Sequence, residues 1–174
     1  MRRISLNARI AQEKGSTAEL YAALFEITHP TLPKPIRLTS DNAERISKEP
    51  YVMGARSNWR GANPITEPFL WIAVSVLQPG DQDDAPAAMT LVLENIDDKL
   101  TKLLRSFIDF ATISMAIVLA DTPNNIEAEW TGMDLTTSTI TGGEVSLQFS
   151  REAIEDESFP PGRMTRFSFP GLQP

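Results

Sequence analysis

The sequence predicts a mainly β with α (α+β) architecture, and three observations carry that expectation. Residues 69–77, Phe-Leu-Trp-Ile-Ala-Val-Ser-Val-Leu, are rich in aromatic and β-branched side chains and are bounded by Pro68 and by Pro79-Gly80, the composition of a core strand. Residues 87–94 alternate Met89, Leu91 and Leu93 with Thr90 and Val92, the period of a strand with one buried face. The best helical period falls at 96–107, where Ile96, Leu100, Leu103, Leu104 and Phe107 recur at three and four.

Taken in order, residues 5–14 place Leu6, Ile10 and Ala11 at helical spacing and stop at Gly15, which predicts a short N-terminal helix. Residues 18–28 fit two periods equally. Ser16 and Glu19 resemble a capping box ahead of Leu20, Leu24 and Ile27, whereas Tyr21, Ala23, Phe25 and Ile27 share one face of a strand. The strand version runs through His29-Pro30 and Pro33-Lys34-Pro35 into a strand-like 36–39, a hairpin with a proline-rich loop. Residues 41–66 are broken by Pro50, Gly54, Gly61 and Pro64, with room for short strands near Ile46 and at 51–54. The runs at 69–77 and 87–94 then pair as a hairpin across a loop carrying Asp81, Asp83 and Asp84. In the following helix, Asp97 and Asp98 open the first turn and Lys102 and Arg105 stand near the end, complementing the helix dipole. Three strands are expected at 111–120, 126–137 and 144–150, the last entered through the turn Thr141-Gly142-Gly143-Glu144. The tail from 158 to 174 holds Phe159, Phe167, Phe169 and four prolines, too broken for regular structure.

At 174 residues, residues 1–174 make a single domain, with an N-terminal helix or arm at 1–15 and an irregular C-terminal segment at 158–174. The chain has no cysteine, which excludes a disulfide framework and any site built on thiolates. One histidine, His29, makes an imidazole relay an unpromising basis for catalysis. A net charge of -7 and a pI near 4.8 argue against specific nucleic-acid binding. The charge is unevenly spread: residues 1–60 carry ten Lys/Arg against six Asp/Glu, or +4, and residues 61–174 carry six against seventeen, or -11. The uneven spread reads first as charge that solvates the surface, with head-to-tail pairing between copies of the chain as the alternative. No targeting segment or membrane segment is expected, since the apolar run at 110–120 is interrupted by Thr112 and Ser114 and is too short to span.

Chemistry-bearing residues are few. The acidic runs Asp83-Asp84, Asp97-Asp98 and Glu155-Asp156-Glu157 read as solvated charge, because neighbours on a strand point to opposite faces. Glu127 and Glu129 share a strand face, the one spacing suited to a metal or to paired carboxylate chemistry, without a third ligand in view. His29 reads as a structural residue, its ring either capping a loop or packing beside Tyr21. The Asn58-Trp59-Arg60-Gly61 segment joins an indole to a guanidinium, a pairing favoured at contact surfaces, and equally suits a tryptophan tucked beneath a strand. No catalytic, cofactor-binding or metal-binding residues are therefore assigned and no cofactor is expected; the interface candidates are Trp59, Arg60, Phe159, Arg163, Phe167 and Phe169. The aromatics of the tail need burial, either on their own domain or in a neighbouring subunit.

Several of these residues carry a resemblance. His29-Pro30, Pro35-Ile36-Arg37-Leu38, the segment Leu91-Val92-Leu93-Glu94-Asn95-Ile96-Asp97 and the terminal run from Phe159-Pro160 through Arg163-Met164-Thr165 to Phe169-Pro170-Gly171-Leu172 resemble an uncharacterised family of minor tail proteins of long-tailed bacteriophages. The resemblance runs from about residue 18 to 172, is strongest at the C-terminal motif, and tips 18–28 toward strand. It implies a non-enzymatic virion protein of the tail tip, made in the host cytoplasm, with no catalytic residues to carry over. The fold it implies is an antiparallel β-sandwich or barrel of tail-tube or distal-tail type, flanked by one main helix. The partners it implies are copies of itself in a ring, hexameric by analogy, and the tail tube, hub and tape measure proteins. A carbohydrate- or host-surface-binding module using exposed aromatics such as Trp59 is the alternative, and a cell-wall hydrolase using Glu127 and Glu129 a third.

Overall fold

Runs of β-branched and aromatic residues bounded by proline and glycine become strands here, and their order along the chain sets a single curled sheet. The structure, a computed structural model, describes residues 4–14, 16–77, 88–94, 111–141 and 144–150. The predicted helix at 96–107 and the C-terminal segment lie outside the described residues.

Helix α1 (Leu6–Glu13) starts at Ser5, whose hydroxyl accepts from the Ala8 N–H at 3.2 Å, the N-cap arrangement. The small residues Ala8 and Ala11 are its buried side, while Leu6 is 72% exposed; the expected apolar face of Leu6 and Ile10 turns outward instead. Ten strands follow: β1 (Tyr21–Thr28), β2 (Ile36–Thr39), β3 (Glu44–Ser47), β4 (Val52–Ala55), β5 (Phe69–Trp71), β6 (Ala73–Leu77), β7 (Ala88–Glu94), β8 (Thr112–Leu119), β9 (Thr122–Thr141) and β10 (Glu144–Ser150). Of residues 18–28, 21–28 are thus strand and not helix, and 18–20 are irregular. In place of the apparent Ser16–Glu19 capping box, Thr17 Oγ1 accepts from the Glu19 N–H in a local turn.

The ten strands form one sheet in the order β3-β4-β5-β2-β1-β8-β9-β10-β7-β6. All pairings are antiparallel except β2 with β5. The predicted single strand at 69–77 splits at Ile72. Leu70 and Trp71 pair with Leu38 and Thr39 of β2, whereas Ala73 onward pairs with β7 at the far edge of the sheet. One residue therefore joins two distant parts of the strand order, and the sheet curls into a half-barrel to allow it. The 20-residue β9 likewise serves two neighbours, pairing with β8 up to Asp134 and with β10 from Asp134 onward. Gly132, at φ 65, supplies the left-handed residue beside the register shift on the β8 side, where a bulge bends the strand.

One face of the sheet holds the main core, including Phe25, Ile27, Met89, Leu91, Ile113, Met115, Met133, Leu147 and Phe149. A second cluster lies on the opposite face of β1 and β8, where Ala22, Leu24, Ala116 and Val118 meet Ala55, Trp59, Ala62 and Phe69. Strands β1 and β8 are consequently buried on both faces, while β7 and β10 alternate buried and open positions.

Candidate functional site

The second cluster is closed by the segment from Arg56 to Pro68, and its centre is the predicted Trp59-Arg60 pair. A single turn spans Trp59–Gly61, in which Arg60 has φ 52 and ψ 33 and Gly61 has φ 73. Glycine takes the left-handed region freely; an arginine there costs about 1 kcal/mol or more. Several bonds hold the turn against that cost. Ser57 Oγ donates to the Pro123 carbonyl at 2.7 Å and accepts from the Trp59 N–H at 3.1 Å, and the Asn58 N–H donates to Asn124 Oδ1 at 2.9 Å. Arg60 Nε donates to Glu26 Oε1 at 2.6 Å.

Trp59 itself is 4% exposed. Its ring lies 6.0 Å from that of Phe69, tilted by 34°, and its Nε1–H donates to Glu129 Oε1 at 2.9 Å. An indole buried this way with its polar atom satisfied is a packing group. The tucked-under alternative for Trp59 is the one observed, and its ring offers no open platform for a sugar.

Around Arg60 the charges form a chain. Glu26 faces Arg37 across the β1–β2 register, and Arg37 Nε and Nη2 donate to Glu26 Oε2 at 3.1 and 3.0 Å. Arg37 Nη1 also donates to Glu67 Oε2 at 2.7 Å, and Lys34 Nζ lies 3.6 Å from Glu67 Oε1. Glu26 and Arg37 have side chains only 5% and 9% exposed, so each needs the other: a buried carboxylate between two guanidiniums is compensated, and one left alone is costly. The hydrogen bond from Arg37, more than its charge or that of Lys34, draws the Glu67 carboxyl below its ordinary value of 4.5.

The remaining candidates are placed separately. Glu127 accepts the Ser5 N–H at 2.8 Å and so ties down the start of α1, with its other oxygen buried and unpartnered. Glu129 is engaged by Trp59, so the two carboxylates serve different elements. Among the described residues no three His, Asp or Glu side chains converge to hold a metal. Of the two structural uses expected for His29, the loop cap is observed: it is buried, and Nδ1 accepts from the Thr31 N–H at 3.2 Å with Thr31 Oγ1 at 2.7 Å. Phe159, Arg163, Phe167 and Phe169 lie outside the described residues, as do Asp83, Asp97 and Glu155 with their acidic neighbours.

Two partners of the network, Glu26 and Glu67, are absent from the sequence-level candidates. A signal for Glu26 exists: it is the one charged residue inside the apolar run of β1. What it pairs with is set by contacts 11, 30 and 34 positions apart, which no local period announces.

This arrangement is a strut that fixes a loop onto a sheet. Residues 7–164 match the family described as Domain of unknown function (DUF1833). The chain belongs to that family. Among curated proteins none matches it. No helix among the described residues is long and apolar enough to cross a membrane.

Proposed function

We propose that this chain is a non-enzymatic structural subunit of a bacteriophage tail tip, a minor or distal tail protein of the virion. It forms part of a ring, with copies of itself, that joins the tail tube to the hub or baseplate. The observation that carries the proposal is the residue pattern shared with minor tail proteins, from His29-Pro30 to Phe169-Pro170-Gly171-Leu172, over nearly the same span as the family match. The curled, largely antiparallel sheet supports it, because a subunit of tail-tube or distal-tail type needs a stiff β body with sheet edges left for neighbours. So does the use made of the candidate residues: Trp59, Arg60 and Glu129 are engaged in holding the fold together, through the Trp59–Glu129 bond and the bond from Arg60 to Glu26.

The test is the mass of the purified chain by light scattering, with the labelled chain located in phage particles by electron microscopy. A closed oligomer, together with label at the tail tip, is expected. A chain that is monomeric and absent from the particles overturns the proposal.

A further inference from the structure

The two ends of the sheet carry unpaired charge of opposite sign. At one end stands the edge strand β3, where Arg45 is exposed and sits opposite Met53 of β4. Ala55 follows Met53 by two residues and lies opposite Phe69, and Trp71 follows Phe69 by two. Residues two apart on a strand share a face, so Arg45, Met53 and Trp71 belong to one surface. The Trp59 segment covers the Phe69 part of it completely and leaves Trp71 44% exposed. Arg45, and Lys48 just beyond the strand, have no carboxylate partner among the described residues, and Glu49 beside Lys48 is exposed and likewise without an ion pair there, so the unpaired charge at this end is positive by one.

At the other end, Glu144 of β10 and Glu94 of β7 are directly opposite one another and both exposed. Like charges in that relation repel and destabilise a sheet. They too have no ion-pair partner among the described residues. The residues beside them in the same row are small, Thr141 on β9 and Ala73 on β6. The next row on that face, Thr139, Ser146, Val92 and Ser75, is equally low, a flat surface on which an indole can lie.

We propose that these two surfaces meet between copies of the chain: Arg45, Lys48 and Trp71 of one copy dock on the Glu94–Glu144 face of the next. The cations relieve the carboxylate repulsion, and the indole supplies the desolvated anchor that a charged rim alone lacks. A contact between unlike surfaces is heterologous, and repeats into a ring when its rotation closes. The inference rests on the reading of the chain as a ring subunit and identifies which faces of that subunit touch.

Charge reversal tests it. One variant carries Arg45→Glu with Lys48→Glu, and a second carries Glu94→Lys with Glu144→Lys. All four positions are exposed, and circular dichroism verifies that both variants fold. Association is read by light scattering over a concentration series, and by incorporation into tails where the wild type assembles only there. Each variant alone is expected to associate about tenfold or more weakly than wild type. An equimolar mixture should recover assembly, because every contact can then join opposite charges. Wild-type-like assembly by either variant alone, or a mixture no better than its parts, overturns this contact and leaves the ring reading standing. A wild-type chain that neither self-associates nor enters the tail overturns the ring reading as well.

Discussion

The half of the sheet around β1 and β8 and the half formed by β10, β7 and β6 are built from similar strands but solve the problem of their outer face in opposite ways. Strand β1 has buried positions on both sides, with Phe25 and Ile27 toward the main core and Ala22 and Leu24 toward the second cluster. Strand β10 buries Val145, Leu147 and Phe149 and leaves Glu144 and Gln148 open. The covered half holds a tryptophan, a strained arginine and a compensated ion network. The open half holds Thr, Ser and a pair of glutamates with no ion-pair partner among the described residues. A structural module needs both: the covered half makes the body rigid, and the open half remains available for contact.

The largest expected effect follows from that division. Trp59→Ala removes the lid of the second cluster and opens a cavity beside Phe69, and should lower stability by about 3–5 kcal/mol in urea denaturation. Thr139→Ala, on the open half, should change it by no more than about 0.5 kcal/mol. Equal effects at the two positions would erase the distinction between the halves.

The same distinction decides what was legible in the sequence. Strand β10 at Glu144–Ser150 coincides with its predicted bounds, and β7 nearly so, because a strand with one buried face advertises itself by alternation. Residues 18–28 are ambiguous from periodicity for the opposite reason. With both faces buried, Leu24 and Phe25 are both core, and an apolar run carries no period to separate helix from strand. The split at Ile72 was invisible, since hydrophobicity reports that a segment is buried and not which strand it pairs with. Arg60 was singled out for its composition, and its left-handed backbone followed from nothing local. In α1 the pattern misled: Ala8 and Ala11 pack because their smallness lets the helix sit close, whereas Leu6 and Ile10 face out.

The second effect concerns the ion network. Glu26→Ala leaves Arg37, nearly as buried as its partner, without its buried carboxylate and releases Arg60 from the bond that holds its backbone. A loss of about 3 kcal/mol is expected, at the low end for a broken buried pair because Glu67 still engages Arg37. Glu144→Ala is the matching change on the open half, and it should be neutral or slightly stabilising, since it removes a repulsion instead of an attraction. Denaturation of the two variants side by side measures the contrast directly. A Glu26→Ala protein as stable as Glu144→Ala would mean that the network is ornamental.

The smallest effect is a pH dependence within the covered half. Glu67 is held below 4.5 in the folded chain, chiefly by its hydrogen bond from Arg37, so the folded state binds that proton less readily than the unfolded state. A carboxyl with a depressed folded value contributes stability that is fully present above its unfolded value and is lost as pH falls through the folded one. The pair is partly open to water, which screens it, and the contribution is correspondingly modest. The wild type should therefore exceed Glu67→Gln in urea midpoint near neutral pH, and the gap should close as pH drops below 4.5. Because Arg37 also bridges to Glu26, removing Glu26 should enlarge that gap by leaving Glu67 as the only carboxylate on the buried guanidinium. A gap that stays constant from neutral to acid would show that the Glu67 carboxylate, whatever its packing contributes, does not draw stability from its charge.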